Sequence, residues 1–169
     1  MIKILGFLII VASSAKIGFD LSEKYCNRTK EIKAFINVLE KIKNEISFSN
    51  CIITDALSNS VNVKCKTIYK MIEYIVKKVE EDKSTLVDAF HSFINENSVA
   101  FEKEDMEEIT RFFSLFGSGD RDDEIKNITN TLTNMKAHLQ TAIENEKKYV
   151  KLFRTSGILA GCLIAIILA

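Results

Sequence analysis

The chain has 169 residues, 47% of them apolar, no proline, and 23 basic against 23 acidic side chains. Zero net charge argues against nucleic acid as the partner, because phosphate binding needs a basic excess gathered on one face. The length suits one compact unit plus membrane segments, and the four cysteines, Cys26, Cys51, Cys65 and Cys162, show no C-x-x-C spacing and fit a reduced, cytosolic setting.

Met1 to Ala15 carries an apolar run of about a dozen residues, the length of a signal-peptide core, and Ser13-x-Ala15 offers a cleavage site. The n-region, however, is one lysine, and Ile17, Gly18 and Phe19 extend the apolar character past Lys16, whose stem can snorkel. A retained anchor over residues 1–20 is therefore preferred to a cleaved signal.

The middle of the chain, residues 21–153, reads as helices throughout, with no strand-like alternation. From Thr29, the residues Ile32, Phe35, Ile36, Leu39, Ile42 and Ile46 form one apolar stripe, and this helix can run on from the anchor until Ser47-Phe48-Ser49-Asn50 breaks it. Thr54 or Asp55 can cap a short helix carrying Leu57 and Val61. A third helix spans about Lys64 to Val79 with Ile68, Tyr69, Ile72, Ile75 and Val76 inward, and Ser84 or Thr85 caps a fourth holding Leu86, Ala89, Phe90, Phe93 and Ile94. Glu102 to Phe116 makes a fifth, with Met106, Ile109, Phe112, Phe113 and Phe116 inward, and Gly117-Ser118-Gly119-Asp120 stops it and caps the next. The Phe-rich fourth and fifth helices are expected to fill the core between the two long terminal helices.

No glycine interrupts the chain between Gly119 and Gly157, so Asp120 to the end should form one helix about 75 Å long. Ile125, Ile128, Leu132, Met135, Leu139 and Ala142 alternate spacings of three and four, the seam of a packed helix. Residues 154–169 then read as membrane-inserted. Lys16 and Arg154 lie equally far from the two ends, so an antiparallel hairpin would bring both charges to one depth, each span offering about 27 Å of helix. Lys24, Arg28 and Lys30 follow the first span and Lys147, Lys148 and Lys151 precede the second, which makes the middle of the chain cytoplasmic. In the tail, Gly157, Gly161, Ala165 and Ala169 recur every four residues, and Ser14 and Gly18 share that spacing in the first span, so the two helices can approach closely along these faces.

Catalytic patterns are missing. There is neither a G-x-x-x-x-G-K-[ST] loop nor a G-x-G-x-x-G turn, and His91 and His138 stand far apart on different predicted helices. Gly117-x-Gly119 precedes a helix start that Asp120, Asp122, Asp123 and Glu124 fill with negative charge, so it reads as a turn and cap rather than an anion site. Glu102, Glu104, Asp105, Glu107 and Glu108 lack the spacing of a calcium loop and read as a solvated face, with a docking surface for a basic partner as the lesser reading. No metal or cofactor is implied.

The pattern resembles the stage III sporulation protein AB family of endospore-forming bacteria, over essentially the whole chain. The resemblance rests on Leu5-Gly6 through Gly18-Phe19, Arg28 through Ile32, Leu39-Glu40 and Glu45-Ile46. Its most specific parts are Phe116-Gly117-x-x-Asp120-Arg121, Ile128, and Ser156-Gly157-x-Leu159-x-Gly161-x-Leu163-Ile164. Glu124 stands where the family usually has Gln, and the proline after Arg28 and the Thr-Pro near Ile53-Thr54 are missing. The resemblance implies a non-enzymatic protein of the mother-cell membrane around the forespore, with its helical domain in the cytoplasm. It further implies partners in the channel apparatus joining the two cells, and a platform role, like that of the type II secretion inner-membrane platform protein, coupled to a cytoplasmic secretion-type ATPase. A homo-oligomer stays open. The competing class, a small pore-former of the holin type, suits two short spans but not so large a cytoplasmic domain. The expected architecture is all-α: a bundle of about six helices between N- and C-terminal transmembrane helices.

Overall fold

The computed structural model describes residues 2–48, 57, 60 and 64–167, apart from the side chains of residues 2–5, 7, 8 and 48. Among the described residues there are five helices and no strand: α1 (Ile2–Phe48), α2 (Lys66–Asp82), α3 (Leu86–Glu96), α4 (Lys103–Leu115) and α5 (Arg121–Ile167). Cys51, Thr54, Asp55, Val61 and Ala169 lie outside the described residues; of the short helix expected after Thr54, Leu57 and Ser60 are described, both are buried, and the Ser60 N–H donates to the Leu57 carbonyl at 3.1 Å.

With no proline after Arg28, α1 runs unbroken for 47 residues, and α5 has the same length. The chain falls into two compact units, one made of residues 1–29 with 141–169, the other of residues 30–140.

In the second unit a phenylalanine cluster forms the core. Phe35 of α1 meets Phe112 edge-on at 6.2 Å between ring centres, and Phe113 touches both Phe112 (5.2 Å) and Phe90 of α3 (5.5 Å). Ile32, Leu39 and Ile42 of α1, Ile68, Ile72 and Ile75 of α2 and Ile109 of α4 are fully buried around it. The seam of α5 buries Ile128, Leu132 and Met135 here, while Ile125 and Leu139 are half-buried; Ala142, also buried, belongs to the first unit. Tyr69 differs from expectation: it is exposed, and Met71 takes the inward place. At about 100° per residue, Tyr69 lies about 110° from the centre of the Ile68, Met71, Ile72 and Ile75 stripe.

Local chemistry sets the helix ends. The Thr85 hydroxyl accepts the Asp88 N–H at 3.1 Å and starts α3. Asp105 accepts the Glu102 N–H at 2.9 Å to start α4.

Glu31 of α1 is buried, and one of its carboxylate oxygens accepts the Ala100 N–H at 2.7 Å. Burial raises its pKa above the ordinary 4.5, only partly offset by hydrogen bonds from Ala100 and Thr67. The folded protein therefore holds this proton to a higher pH than the unfolded chain does. The corresponding stability is present at low pH and is lost as pH rises through the raised pKa. Glu31→Gln, which keeps an acceptor for Ala100, is expected to remove that decline and raise the melting temperature at neutral pH; melting curves across the acidic to neutral range check it.

Candidate functional site

The first unit is built where α1 and α5 meet, and small residues decide how closely. Position by position the helices run antiparallel. A Cβ added to Gly18 would sit 2.5 Å from the Phe153 carbonyl oxygen and 3.2 Å from the Gly157 Cα. One added to Gly157 would meet the Ser14 carbonyl oxygen at 3.0 Å and the Gly18 Cα at 3.1 Å, and one at Gly161 would meet the Val11 Cα at 2.9 Å. Backbone thus lies against backbone, a separation that any side chain larger than hydrogen would widen. The Ser14 hydroxyl donates to the Gly157 carbonyl at 2.6 Å. The structure brings Ser14, Gly18, Gly157 and Gly161 together; Ala165 is also buried.

One turn along, the stripe continues through Ser22, which the sequence reading stopped short of although its spacing from Gly18 is the same four residues. Ser22 is fully buried, donates to the Phe19 carbonyl at 2.7 Å and accepts from Arg154 Nε at 3.3 Å. The Arg154 guanidinium also lies over the Phe19 ring, 4.9 Å from its centre. Beyond it Tyr25 stacks on Tyr149 at 4.9 Å and on Phe153 at 5.9 Å, and aromatic rings replace backbone contact as spacers. These pairings correct the expected register. Gly157 is level with residues 14–18 and Arg154 bonds Ser22, so Lys16 and Arg154 sit about one helical turn apart instead of at one depth.

The large apolar residues of this pair point outward. Ile17 is 62% exposed, Leu159 63%, Leu163 60% and Ile166 76%, whereas Gly18, Gly161 and Ala165 are buried. Among the described residues one helix, α5, is long and apolar enough to cross a membrane.

The turn before α5 is held from within. Gly117 has φ 93°, a left-handed conformation open to glycine at little cost. Asp120 accepts the Asp123 N–H at 3.0 Å and caps the helix. Buried Glu124 accepts the Gly117 N–H at 2.7 Å and the Gly119 N–H at 3.3 Å through one oxygen. Either an amide or a carboxylate oxygen can do this, which accounts physically for Glu at a position where the resemblance leads one to expect Gln. Arg121 donates to the Ser47 carbonyl at the end of α1.

One further titratable pair serves architecture. Asp105 is fully buried, with Oδ1 2.9 Å from His138 Nδ1, so the two tie the start of α4 to α5. Apolar periodicity could not reveal this pair; the capping pattern Glu102-x-x-Asp105 was its one visible sign. Among the described residues no three His, Cys, Asp or Glu side chains gather as metal ligands, and Cys26, Cys65 and Cys162 are not in disulfides.

Fold and site together define an all-helical protein organised on two long antiparallel helices, one of them apolar enough to cross a membrane. The chain belongs to the stage III sporulation protein AB family, whose model matches residues 3–169, and this places it among sporulation proteins. It is similar to the stage III sporulation protein AB of Bacillus subtilis (strain 168), 21% identical over 170 residues and 99% of each chain. A solved structure of a stage III sporulation protein AB shares the fold, with a TM-score of 0.63 at 15% identity over 72% of this chain and 98% of that one.

The glycine geometry sorts substitutions. Gly18→Ala forces the helices apart against the Phe153 carbonyl and should cost about 1–3 kcal/mol, as overpacking does. Gly6→Ala meets nothing within 4 Å and should be neutral or slightly stabilising. Detergent unfolding of the two variants side by side measures the difference.

Proposed function

We propose that the chain is a non-enzymatic membrane platform component of the sporulation channel apparatus linking mother cell and forespore. In this reading residues 1–20 and 154–169 form an antiparallel transmembrane hairpin. Residues 21–153 form a bundle of about six helices in the mother-cell cytoplasm. Its partners are other proteins of the channel, including a cytoplasmic secretion-type ATPase.

The observation that carries the membrane part is the inverted distribution of side chains in the helix pair. A helix pair in water turns its large apolar residues toward its partner; here small residues and backbone meet, and Ile17, Leu159, Leu163 and Ile166 face out. That arrangement suits lipid, where close packing and interhelical hydrogen bonds supply the association and the outward apolar residues are solvated. The basic residues around Lys24, Arg28, Lys147 and Lys151 favour a cytoplasmic middle. Family membership supports the sporulation role. The platform role rests on the resemblance to secretion platforms and on a helical domain in which buried Glu31, Asp105 and Glu124 serve caps and ties.

Two measurements test this reading. The protein should resist alkaline carbonate extraction from membranes, and Cys65 should react with an impermeant maleimide only after the membrane is opened. Labelling of Cys65 in intact cells, or release into the carbonate supernatant, overturns it. In sporulating cells Gly161→Ile should leave a membrane-located protein that fails in assembly, so that spore development stops after engulfment, whereas Ile166→Leu at matched protein level should behave as the parent chain.

A further inference from the structure

Arg154 stands where the basic residues of α5 give way to its apolar tail. Lys147, Lys151 and Arg154 recur at spacings of four and three, so they lie on one stripe of the helix, and all three are exposed. From Lys147 to the end of the chain no Asp or Glu occurs. None of the three forms an ion pair among the described residues. The charge of the chain, zero in sum, is also unevenly shared: residues 1–29 and 141–169 hold eight basic and four acidic side chains, residues 30–140 fifteen and nineteen.

Within this stripe Arg154 is the cation held in place. Its Nε donates to buried Ser22 at 3.3 Å, and its guanidinium lies over the Phe19 ring, 4.9 Å from the centre. These contacts fix the plane of the group and use only the Nε–H of its fork. Asp20 and Glu23, the acidic residues of this stretch of α1, do not pair with it. A guanidinium so fixed, with its outer donors unmatched among the described residues, suits an anion that offers several oxygens. Its surroundings indicate the rest of the ligand. On one side of Arg154 the stripe is cationic, whereas on the other Ile158, four residues on, and Phe19 of α1 are exposed apolar side chains. Cation beside apolar surface is the profile that a headgroup and its acyl chains require.

We propose that Arg154 binds the phosphate of an anionic phospholipid, with Lys151 and Lys147 selecting a headgroup of net negative charge and the acyl chains lying along Phe19 and Ile158. The site deepens the membrane reading above and rests on it. A free anion finds the donors but gains nothing from the apolar flank. A zwitterionic headgroup brings its own cation against the two lysines, so charge complementarity favours the anionic lipid.

The test uses the full chain purified in detergent, with native mass spectrometry following the fraction that carries one molecule of short-chain phosphatidylglycerol, the matching phosphatidylcholine or inorganic phosphate. Phosphatidylglycerol should half-saturate the parent chain at a concentration roughly tenfold or more below that of the other two. Arg154→Gln should weaken its binding about tenfold, and Arg154→Lys, which keeps the charge and loses the planar fork, by more than about threefold. Lys24→Gln removes the same charge from α1 at a point about 140° round the helix from Phe19, and should change binding by less than about twofold. Circular dichroism checks folding; if Arg154→Gln fails to fold, Phe19→Leu, which removes the ring under the guanidinium and keeps an apolar side chain, takes its place with a loss of about threefold. Equal binding of phosphatidylcholine or inorganic phosphate, equal losses in Arg154→Gln and Lys24→Gln, or an Arg154→Lys chain that binds as the parent does would each overturn the site. Carbonate extraction run in parallel separates the two readings. A chain retained in membranes but without preference for phosphatidylglycerol overturns the lipid site alone, whereas release into the supernatant overturns the membrane reading and the site with it.

Discussion

In proteins most of the stability of a helix comes from packing of its apolar face, and this protein has two helices of 47 residues to cover. The cover changes in kind along the chain. At the ends near Gly18 and Gly157 it is backbone against backbone; at Tyr25, Tyr149 and Phe153 it is stacked rings; from Phe35 onward it is a phenylalanine core supplied by shorter helices. The absence of proline makes this possible, because one break in either helix would uncouple the modes of packing.

These modes respond to different forces. The Phe35, Phe90, Phe112 and Phe113 cluster buries large apolar area and is driven by water. The glycine contact buries almost none, and its stability comes from dispersion and the Ser14 hydrogen bond, which is why it makes most sense where the surroundings are already apolar. A small change of volume is tolerated in the first by rotamer adjustment, but at Gly18 the obstacle is a carbonyl oxygen that no rotamer moves.

Most of the helical plan was legible in the sequence because apolar spacing and caps carry it: α5 runs without a break from its acidic first turn, Thr85 starts α3, and the phenylalanines of α3 and α4 lie inward. Less legible were the groups whose burial depends on a distant partner. Asp105 reads as one more carboxylate of an exposed cluster, yet it is buried, accepting the Glu102 N–H and lying 2.9 Å from His138 Nδ1, 33 residues away. Glu124 looked like helix-start charge and instead holds the turn before it. The register of the helix pair was misjudged by about a turn because counting from the two ends ignores where the smallest residues fall, and close approach is decided by them. Tyr69, expected inward, is exposed because its angle on the helix sets it outside the apolar stripe.

The Ser14 to Gly157 hydrogen bond joins residues 143 apart, and this has a consequence in time. At about 5–20 residues per second, translation supplies the partner of Ser14 on the order of 7–30 s after Ser14 itself. Residues 30–140 are all made within that interval, so their domain has the opportunity to fold while the first helix of the pair still waits. Closing the pair is then the last long-range step of maturation. A chain that stalls or is clipped anywhere between the two helices keeps a bare glycine face, and that unsealed face is a ready mark by which quality-control machinery could tell an unfinished molecule from a finished one.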